Sequence, residues 1–308
     1  MSVIVTGGAG FIGSHVVDAL IARGQSVIVI DDLSSGRREN LAQHPGIDLR
    51  VADVAEPWPL DDESIEGIVH LAAQVSVVRS IEAPLNDLRA NAQGTVQALE
   101  VARTRSVPKL VFASSAAVYG DVAEVPTTED APKAPLSPYG VDKLSGEHWL
   151  AMYAAIHGVG TSALRFFNVY GPRQDPSSAY SGVISIFLER SSRGEPLTIY
   201  GDGQQTRDFV YVGDVVRAIL AALDRPGATP PINVGTGSSV TVEQLARAVL
   251  AANDSDVEVR FAEARAGDIR HSRAVVARLA ETLDVRAQTD LSEGLKATAR
   301  WYRAAAEV

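Results

Sequence analysis

The sequence predicts an α/β protein with a doubly wound parallel sheet and a smaller mixed α/β region after it. Three observations support this fold class. Short apolar runs alternate with segments of helical periodicity, a glycine-rich turn joins the first run to the first helical segment, and the alternation ends after residue 170. We therefore expect helices on both faces of the sheet and binding residues at the carboxyl ends of its strands.

The elements follow one another in a regular order. Apolar runs of strand length occupy residues 3–5, 27–30, 49–51, 67–71 and 109–112, and helical periodicity occupies 13–23, 86–103 and 139–157. From residue 171 onward, turn-rich segments separate the helices by longer connections. We expect one domain over residues 1–170 and a second over 171–308, and we leave open a return of the chain into the sheet around 208–235.

The composition argues against several classes of function. The 308 residues include no cysteine and only six scattered histidines, which disfavours disulfides, thiolate chemistry and a metal site. The formal net charge of -10, from 38 acidic and 28 basic side chains, argues against a nucleic-acid partner. The first residues lack a signal-peptide pattern, and no apolar run has the length of a membrane span. We expect a cytoplasmic protein with no membrane or nucleic-acid partner.

A glycine-rich turn follows the first predicted strand. Gly7, Gly10 and Gly13 lie between this strand and the first helix, where glycine permits a tight turn and lets backbone N–H groups contact a pyrophosphate. This pattern, in this place, is typical of dinucleotide binding in a Rossmann-type domain.

Acidic residues after the next two strands fit the same interpretation. Asp31 and Asp32 begin 18 residues beyond Gly13, where a carboxylate accepts hydrogen bonds from the adenosine ribose and repels a 2′-phosphate. We therefore expect NAD rather than NADP, and we interpret Arg37 and Arg38 in the next loop as solvated surface arginines rather than as partners of a 2′-phosphate. Residues 53 and 54, Asp53 and Val54, would lie near the adenine.

Tyr139 and Lys143 are spaced four residues apart, which puts both side chains on one face of a helix. They follow a strand that ends in Ser114 and Ser115, at the edge where ligands of such folds bind. A buried ammonium beside a phenol favours the phenolate, so we expect a lowered pKa for Tyr139 and a role as a base.

Motifs along nearly the whole chain resemble the extended short-chain dehydrogenase/reductase family, in particular nucleotide-sugar epimerases like UDP-glucose 4-epimerase. The matching segments are 6–15, 70–74, 91, 94–95, 114–120, 137–143, 165–173, 200–203, 207–210 and 265–268. The resemblance implies tightly held NAD, a UDP-sugar substrate and a homodimer joined by helices of the first domain. It also implies that residues 1–170 bind NAD and carry the catalytic side chains, and that 171–308 bind the nucleotide sugar.

The resemblance assigns a role to each matching residue. Tyr139 would take the proton of the sugar 4-hydroxyl while a hydride leaves C4, Ser115 would hydrogen-bond the same oxygen, and Lys143 would hold the nicotinamide ribose. The cofactor contacts would be Gly7, Gly10, Phe11, Ile12, Gly13, Asp31, Asp32, Ser34, Gly36, Asp53, Val54, Leu71, Ala72, Ala73, Asn91, Ser114, Tyr139, Lys143 and Phe166. The substrate contacts would be Gln74, Ser115, Tyr139, Asn168, Tyr200, Arg207, Arg265, Asp268 and Ser272.

Several alternatives remain open at this point. Ser272 is small at a position beside the sugar C2 substituent, which suggests tolerance of N-acetylhexosamines as well as UDP-glucose and UDP-galactose. Ala116 and Ala117 replace the acid pair of sugar dehydratases, so that reaction is disfavoured. A UDP-glucuronate 4-epimerase or decarboxylase remains possible, and a non-catalytic NAD-sensing module is the remotest reading. Asp142 departs from many relatives, with no consequence assigned.

Overall fold

The protein is described by a computed structural model that covers residues 1–44, 46–121, 124–175, 182–264 and 269–306. Its centre is a seven-stranded sheet in the order β11-β6-β5-β4-β1-β2-β3, with every neighbouring pair parallel. This confirms the predicted doubly wound α/β fold. The strands of the sheet are β1 Ser2–Thr6, β2 Ser26–Asp31, β3 Asp48–Val51, β4 Ile65–His70, β5 Lys109–Ser115, β6 Gly160–Phe166 and β11 Ile232–Val234.

The central strands are apolar because helices cover both faces of the sheet. One buried cluster joins the sheet to the helices Phe11–Ala22 and Val212–Asp224, and a second joins its other side to the helices Gly94–Thr104 and Pro138–His157. The helices of the described chain are α1 Phe11–Ala22, α2 Val77–Glu82, α3 Pro84–Leu88, α4 Gly94–Thr104, α5 Pro138–His157, α6 Val183–Ser192, α7 Val212–Asp224, α8 Val242–Asn253, α9 Ala277–Leu283 and α10 Leu291–Ala306. Among the described residues, no helix is long and apolar enough to cross a bilayer.

The helix that the periodicity predicts over 86–103 is interrupted. The structure has α3, then a π-helical turn at Arg89–Gln93, then α4. Asn91 lies in this wide turn, and its side-chain amide donates to the carbonyl oxygen of Gln74 and to Asp87 Oδ1, both at 3.0 Å. These tertiary hydrogen bonds pin the turn to a neighbouring loop, which periodicity alone does not register.

The later part of the chain forms a third buried cluster around α6, α8 and α10. Three two-stranded sheets accompany it: parallel β10 with β7, antiparallel β12 with β9, and parallel β13 with β8. Their strands are β7 Asn168–Tyr170, β8 Leu197–Tyr200, β9 Thr206–Arg207, β10 Phe209–Tyr211, β12 Val240–Thr241 and β13 Val259–Ala262. Strand β11 pairs with β6 in the large sheet. The division into domains at residue 170 stays a prediction.

Candidate active site

The strand order predicts a binding cleft at the carboxyl edge of the sheet. Strand β1 lies between β4 and β2. The sheet continues through β4, β5, β6 and β11 on one side of β1 and through β2 and β3 on the other. In doubly wound sheets a ligand binds in the crevice at this reversal of strand order. The glycine turn follows β1, the acidic loop follows β2, residues 71–73 follow β4, and Ser115 ends β5.

The glycine turn after β1 is closely packed. Gly7 has a φ of +68°, and a Cβ atom there would lie 2.8 Å from the backbone nitrogen of Ala72. A Cβ atom on Gly13 would overlap the carbonyl oxygen of Gly7. Helix α1 begins at Phe11, and its N-cap Gly10 supplies no side-chain hydrogen bond. The free N–H groups and the positive end of the helix dipole suit the pyrophosphate of a dinucleotide.

The acidic loop after β2 is organised by its own carboxylates. Asp31 is buried and accepts hydrogen bonds from the backbone N–H groups of Ala9 and Leu33, both at 2.9 Å. Burial raises the pKa of Asp31, although these two hydrogen bonds oppose the shift. A Cβ atom on Gly36 would lie 2.6 Å from Asp31 Oδ1, so glycine lets the loop approach the carboxylate. Asp32 accepts hydrogen bonds from the backbone and the hydroxyl of Ser34.

In the loop after β3, Asp53 has an ion-pair partner that the sequence did not suggest. Its Oδ2 lies 2.5 Å from Arg89 Nη1, and its Oδ1 accepts a hydrogen bond from the Ala55 N–H at 2.9 Å. Val54 is buried beneath this turn, against Gly94. Arg89 therefore ties the loop after β3 to the π-helical turn.

The backbone after β4 is held by Thr6. The N–H groups of Leu71 and Ala72 lie 3.2 Å from Thr6 Oγ1, and the Thr6 hydroxyl lies 2.8 Å from His70 Nδ1. Burial lowers the pKa of His70 to about 3, and nearby Lys143 acts in the same direction. His70 is thus a neutral side chain that positions the segment with Leu71, Ala72 and Ala73.

Gln74 uses both ends of its amide within the chain. Its Nε2 donates to the Ser76 carbonyl at 2.8 Å and to Asp87 Oδ1 at 2.6 Å, and its Oε1 accepts from the Ser76 N–H at 2.6 Å. The amide thus holds the loop to α3, so a contact of Gln74 with a sugar would require these hydrogen bonds to be shared or broken.

Ser115, Tyr139 and Lys143 meet where β5 faces the start of α5. The Ser137 hydroxyl caps this helix by accepting from the Gly140 N–H at 3.2 Å, which sets Tyr139 in the first turn. The Tyr139 hydroxyl is within hydrogen-bonding reach of Ser115. Lys143 Nζ lies 5.7 Å from the centre of the Tyr139 ring and 4.9 Å from that of Phe112.

The electrostatics of this cluster correct one expectation. Burial lowers the pKa of Lys143 to about 8, while Asp87 and Asp142 act to raise it. The pKa of Tyr139 is raised, not lowered, because desolvation outweighs the hydrogen bond with Ser115, and the negative Asp87 adds to the rise. The prediction of a lowered pKa from Lys143 is therefore wrong for the chain by itself. A further positive charge beside the phenol would act in the opposite direction.

Ser114 and Phe166 lie at the ends of β5 and β6, next to this cluster. The Ser114 hydroxyl is buried and donates to Glu147 Oε1 at 2.5 Å, so it serves the interior of α5. Glu147 in turn receives two hydrogen bonds from Arg165. Phe166 is a buried core residue at the end of β6.

The expected substrate contacts lie along a hydrogen-bonded rim. The Asn168 N–H donates to the carbonyl of Asp208, the residue after Arg207, and the Ser272 N–H donates to the carbonyl of Thr206. Asn168, Arg207 and Ser272 are thereby held on neighbouring segments. Tyr200 ends β8 and is 38% exposed. Arg265 and Asp268 lie outside the described residues, so their predicted roles stay predictions.

Sequence reasoning missed Asp87 and Arg89, and it assigned nothing to Asp142. Asp87 contacts Gln74 and Asn91, and both Asp87 and Asp142 act on Lys143. The only sequence signal for these residues was that Asp87 lies four residues, about one helical turn, before Asn91. Within the described ranges no cluster of His, Asp or Glu side chains could hold a metal ion.

Comparison with known proteins identifies clear relatives. The model of the NAD dependent epimerase/dehydratase family matches residues 3–235. A UDP-glucose 4-epimerase of Mycolicibacterium smegmatis is 41% identical over 310 residues, covering 98% of this chain and 99% of that protein. The structure of Thermotoga maritima UDP-glucose 4-epimerase with UDP-glucose has a TM-score of 0.93 at 39% identity, covering 99% of this chain and 100% of that one. The Methanobrevibacter ruminantium M1 UDP-N-acetylglucosamine 4-epimerase, in complex with UDP-N-acetylmuramic acid, has a TM-score of 0.92 at 36% identity, covering 99% and 98%.

Proposed function

This chain belongs to the NAD-dependent epimerase/dehydratase family, and from that premise we propose that it inverts C4 of a nucleotide sugar, with UDP-glucose and UDP-galactose as the first pair. The observation that carries the proposal is the cluster of Ser115, Tyr139 and Lys143 beside the glycine turn at the carboxyl edge of the sheet. The family uses NAD. Cβ atoms added to the glycines of the turn would fill the space there, so the bare backbone of the turn fits the pyrophosphate of NAD.

Bound NAD would supply an acceptor that takes a hydride from a sugar carbon and can return it. Tyr139 would take the proton of the 4-hydroxyl and give it back after the 4-keto sugar has rotated in the site to present its other face. Ser115 would hydrogen-bond the same oxygen and orient it toward Tyr139. Lys143 would hold the ribose next to the nicotinamide and stabilise the phenolate of Tyr139 by its charge.

The rim residues would hold the diphosphate and the uridine. Arg207 suits this role because a guanidinium presents paired donors to phosphate oxygens. Asn168 would add an amide contact, and Arg265 and Asp268 would complete the clamp around the diphosphate and the uridine ribose. Tyr200 would flank the base. In such an arrangement the sugar is the least restrained part of the substrate, and it can present either face to the catalytic cluster.

Ser272 bears on the choice of sugar. Its backbone N–H donates to the carbonyl of Thr206, next to Arg207, and its small side chain would leave room beside the C2 substituent of a bound sugar. We therefore propose turnover of UDP-N-acetylglucosamine alongside UDP-glucose. Substitution Ser272→Tyr should abolish turnover of the acetylated sugar and preserve turnover of UDP-glucose. Equal turnover of both sugars by Ser272→Tyr would contradict this role.

The experiment is a panel of UDP-sugars incubated with the purified protein without added cofactor, with the products identified by NMR. We expect C4 epimers of UDP-galactose and UDP-glucose, and no epimerisation by Tyr139→Phe. Release of carbon dioxide from UDP-glucuronate without C4 inversion would identify a decarboxylase instead. Bound NAD with equal activity of wild type and Tyr139→Phe would contradict the proposal and favour a non-catalytic module.

We also propose that two copies pair through α2, α3 and α5. These helices carry exposed apolar side chains, namely Val77, Val78, Ile81, Leu85, Leu88, Val141, Trp149 and Ile156. Two grooves meet at Val141 along α5, so the same face offers both ridges and a groove. A two-fold pairing needs such a self-complementary surface, and apolar patches of this kind are rare on monomers.

A further inference from the structure

Two carboxyl groups are buried beneath the catalytic helix. Asp142 on α5 is 6% exposed, and Asp87 on α3 is 1% exposed. The Asp142 carboxyl is within hydrogen-bonding reach of Asp87. Both are close enough to Lys143 to act on its charge. The catalytic lysine therefore has two acids behind it, and only one of them is needed to balance it.

The hydrogen bonds around the pair are unequal. Asp87 Oδ1 accepts from Gln74 Nε2 at 2.6 Å and from Asn91 Nδ2 at 3.0 Å. The other oxygen of Asp87, and Oδ2 of Asp142, are buried and have no donor among the described residues. A proton on Asp142 that points to Asp87 would give a buried hydrogen bond where two ionised oxygens would repel each other.

The donors decide which acid carries the proton. Asp87 Oδ1 already accepts from two N–H groups, and the acid of the pair whose pKa is raised is Asp142, so the shared proton is assigned to Asp142. Burial, together with the hydrogen bond and the negative charge of Asp87, raises the pKa of Asp142 to about 6, while Lys143 opposes the rise. Because the two acids interact strongly, this titration belongs to the pair. The pair gains a second negative charge as the pH rises through about 6.

The other charged side chains near α5 do not take the place of Asp87 and Asp142 as the counter-charge of Lys143. His70 faces Lys143 from β4 and is neutral because its pKa is lowered by burial. The other charged groups on the elements packed against α5 are exposed or have partners of their own, namely Arg79 and Glu82 on α2, Arg89 in the π-helical turn, Glu100 and Arg103 on α4, Lys109 on β5 and Arg165 on β6.

We propose that Asp87 and Asp142 form a proton-sharing pair that is the counter-charge of Lys143, and that Asp142 is a positioning residue that sets the pH range of catalysis. The inference rests on the proposed C4 epimerisation. Above about pH 6 the second negative charge holds the proton on Lys143 and so keeps its ammonium group available to the Tyr139 phenolate. Asp142 itself exchanges no proton with the sugar.

The test is the pH profile of kcat for the holoenzyme and its Asp142→Asn variant. The amide can still donate to Asp87, but the pair then keeps one negative charge at every pH. The alkaline limb should move to lower pH by about half a unit to one unit, which lowers kcat about three- to tenfold above that limb. Below the titration of the pair, both enzymes carry one negative charge and their profiles should share one shape. Glu82→Gln, an exposed acid on a helix packed against α5, should leave the profile unchanged.

A second readout does not depend on the sugar. The phenolate of Tyr139 is titrated by ultraviolet difference between each holoenzyme and the same protein with Tyr139→Phe, and it should form at higher pH in Asp142→Asn, because Lys143 loses its proton earlier and no longer stabilises the phenolate. Asp142→Ser should shift the pH profile and the phenolate titration in the directions expected for Asp142→Asn. This second variant covers the case that the amide variant folds poorly. The proposed role of the pair would be refuted if the Asp142 variants turn over the sugar with unshifted titrations. It would also be refuted if they lose kcat uniformly at every pH. A shifted phenolate without turnover of any sugar would instead refute the proposed function.

Discussion

Replacing Glu147 with glutamine should destabilise the fold by about 3–5 kcal/mol, because it leaves a buried guanidinium without its counter-charge. Arg165 Nε and Nη2 donate to the two carboxylate oxygens of Glu147 at 2.8 and 2.6 Å, and Ser114 adds a third hydrogen bond at 2.5 Å. The side chains of Arg165 and Glu147 are 3% and 5% exposed, so water screens little of this interaction. The pair also fastens α5, and with it Tyr139, to strands β5 and β6.

The assay is urea unfolding of the NAD-loaded protein, read as the change in the free energy of unfolding. The matched control is Glu258→Gln, whose partner Arg260 is 2.8 Å away with both side chains at least 60% exposed, and it should cost less than about 1 kcal/mol. The double variant Glu147→Leu/Arg165→Met should recover most of the loss, since no charge is left buried. A loss below about 1 kcal/mol for Glu147→Gln would refute this reasoning.

Three further predictions follow from the fold and the cleft. Gly13→Ala should lose most of its bound NAD, measured by cofactor content after gel filtration, because its Cβ would overlap the Gly7 carbonyl; full retention would contradict the packing of the turn. His70 binds its proton only below its usual pKa, so stability should fall as the pH drops from about 6.5, by about 3 kcal/mol at pH 4, and His70→Asn should lose this dependence in unfolding measurements. Leu85→Asp should give monomers in sedimentation, while Phe261→Asp, an exposed apolar residue on β13, should leave the assembly state unchanged; dimeric Leu85→Asp would refute the proposed face.

The large sheet was predictable because its signals are local. Strands β1, β2, β4 and β5 each contain a short apolar run because helices bury both of their faces, whereas the edge strand β3 is partly exposed and carries Asp48 and Arg50. The turn between β1 and α1 was predictable because Gly7 and Gly13 occupy places where a side chain would overlap the backbone. The i, i+4 spacing of Tyr139 and Lys143 likewise required only a helix.

The features that the sequence did not predict depend on tertiary contacts. The π-helical turn is held by hydrogen bonds from Asn91 to Gln74 and Asp87, which are 17 and 4 residues away, and no periodicity encodes them. The pKa of Tyr139 depends on desolvation at the cleft, which spacing does not give. Asp142 looked ordinary in the sequence because its partner Asp87 lies on another helix.

The most direct measurement of the central claim follows a label at the reacting carbon. UDP-galactose with deuterium at C4 is incubated in ordinary water with the protein and no added cofactor, and the product is analysed by NMR and mass spectrometry. If one site removes a hydride and returns it to the opposite face, the product is UDP-glucose that retains deuterium at C4. Unchanged UDP-galactose, or an epimer whose C4 deuterium has been exchanged for solvent hydrogen, would contradict the claim.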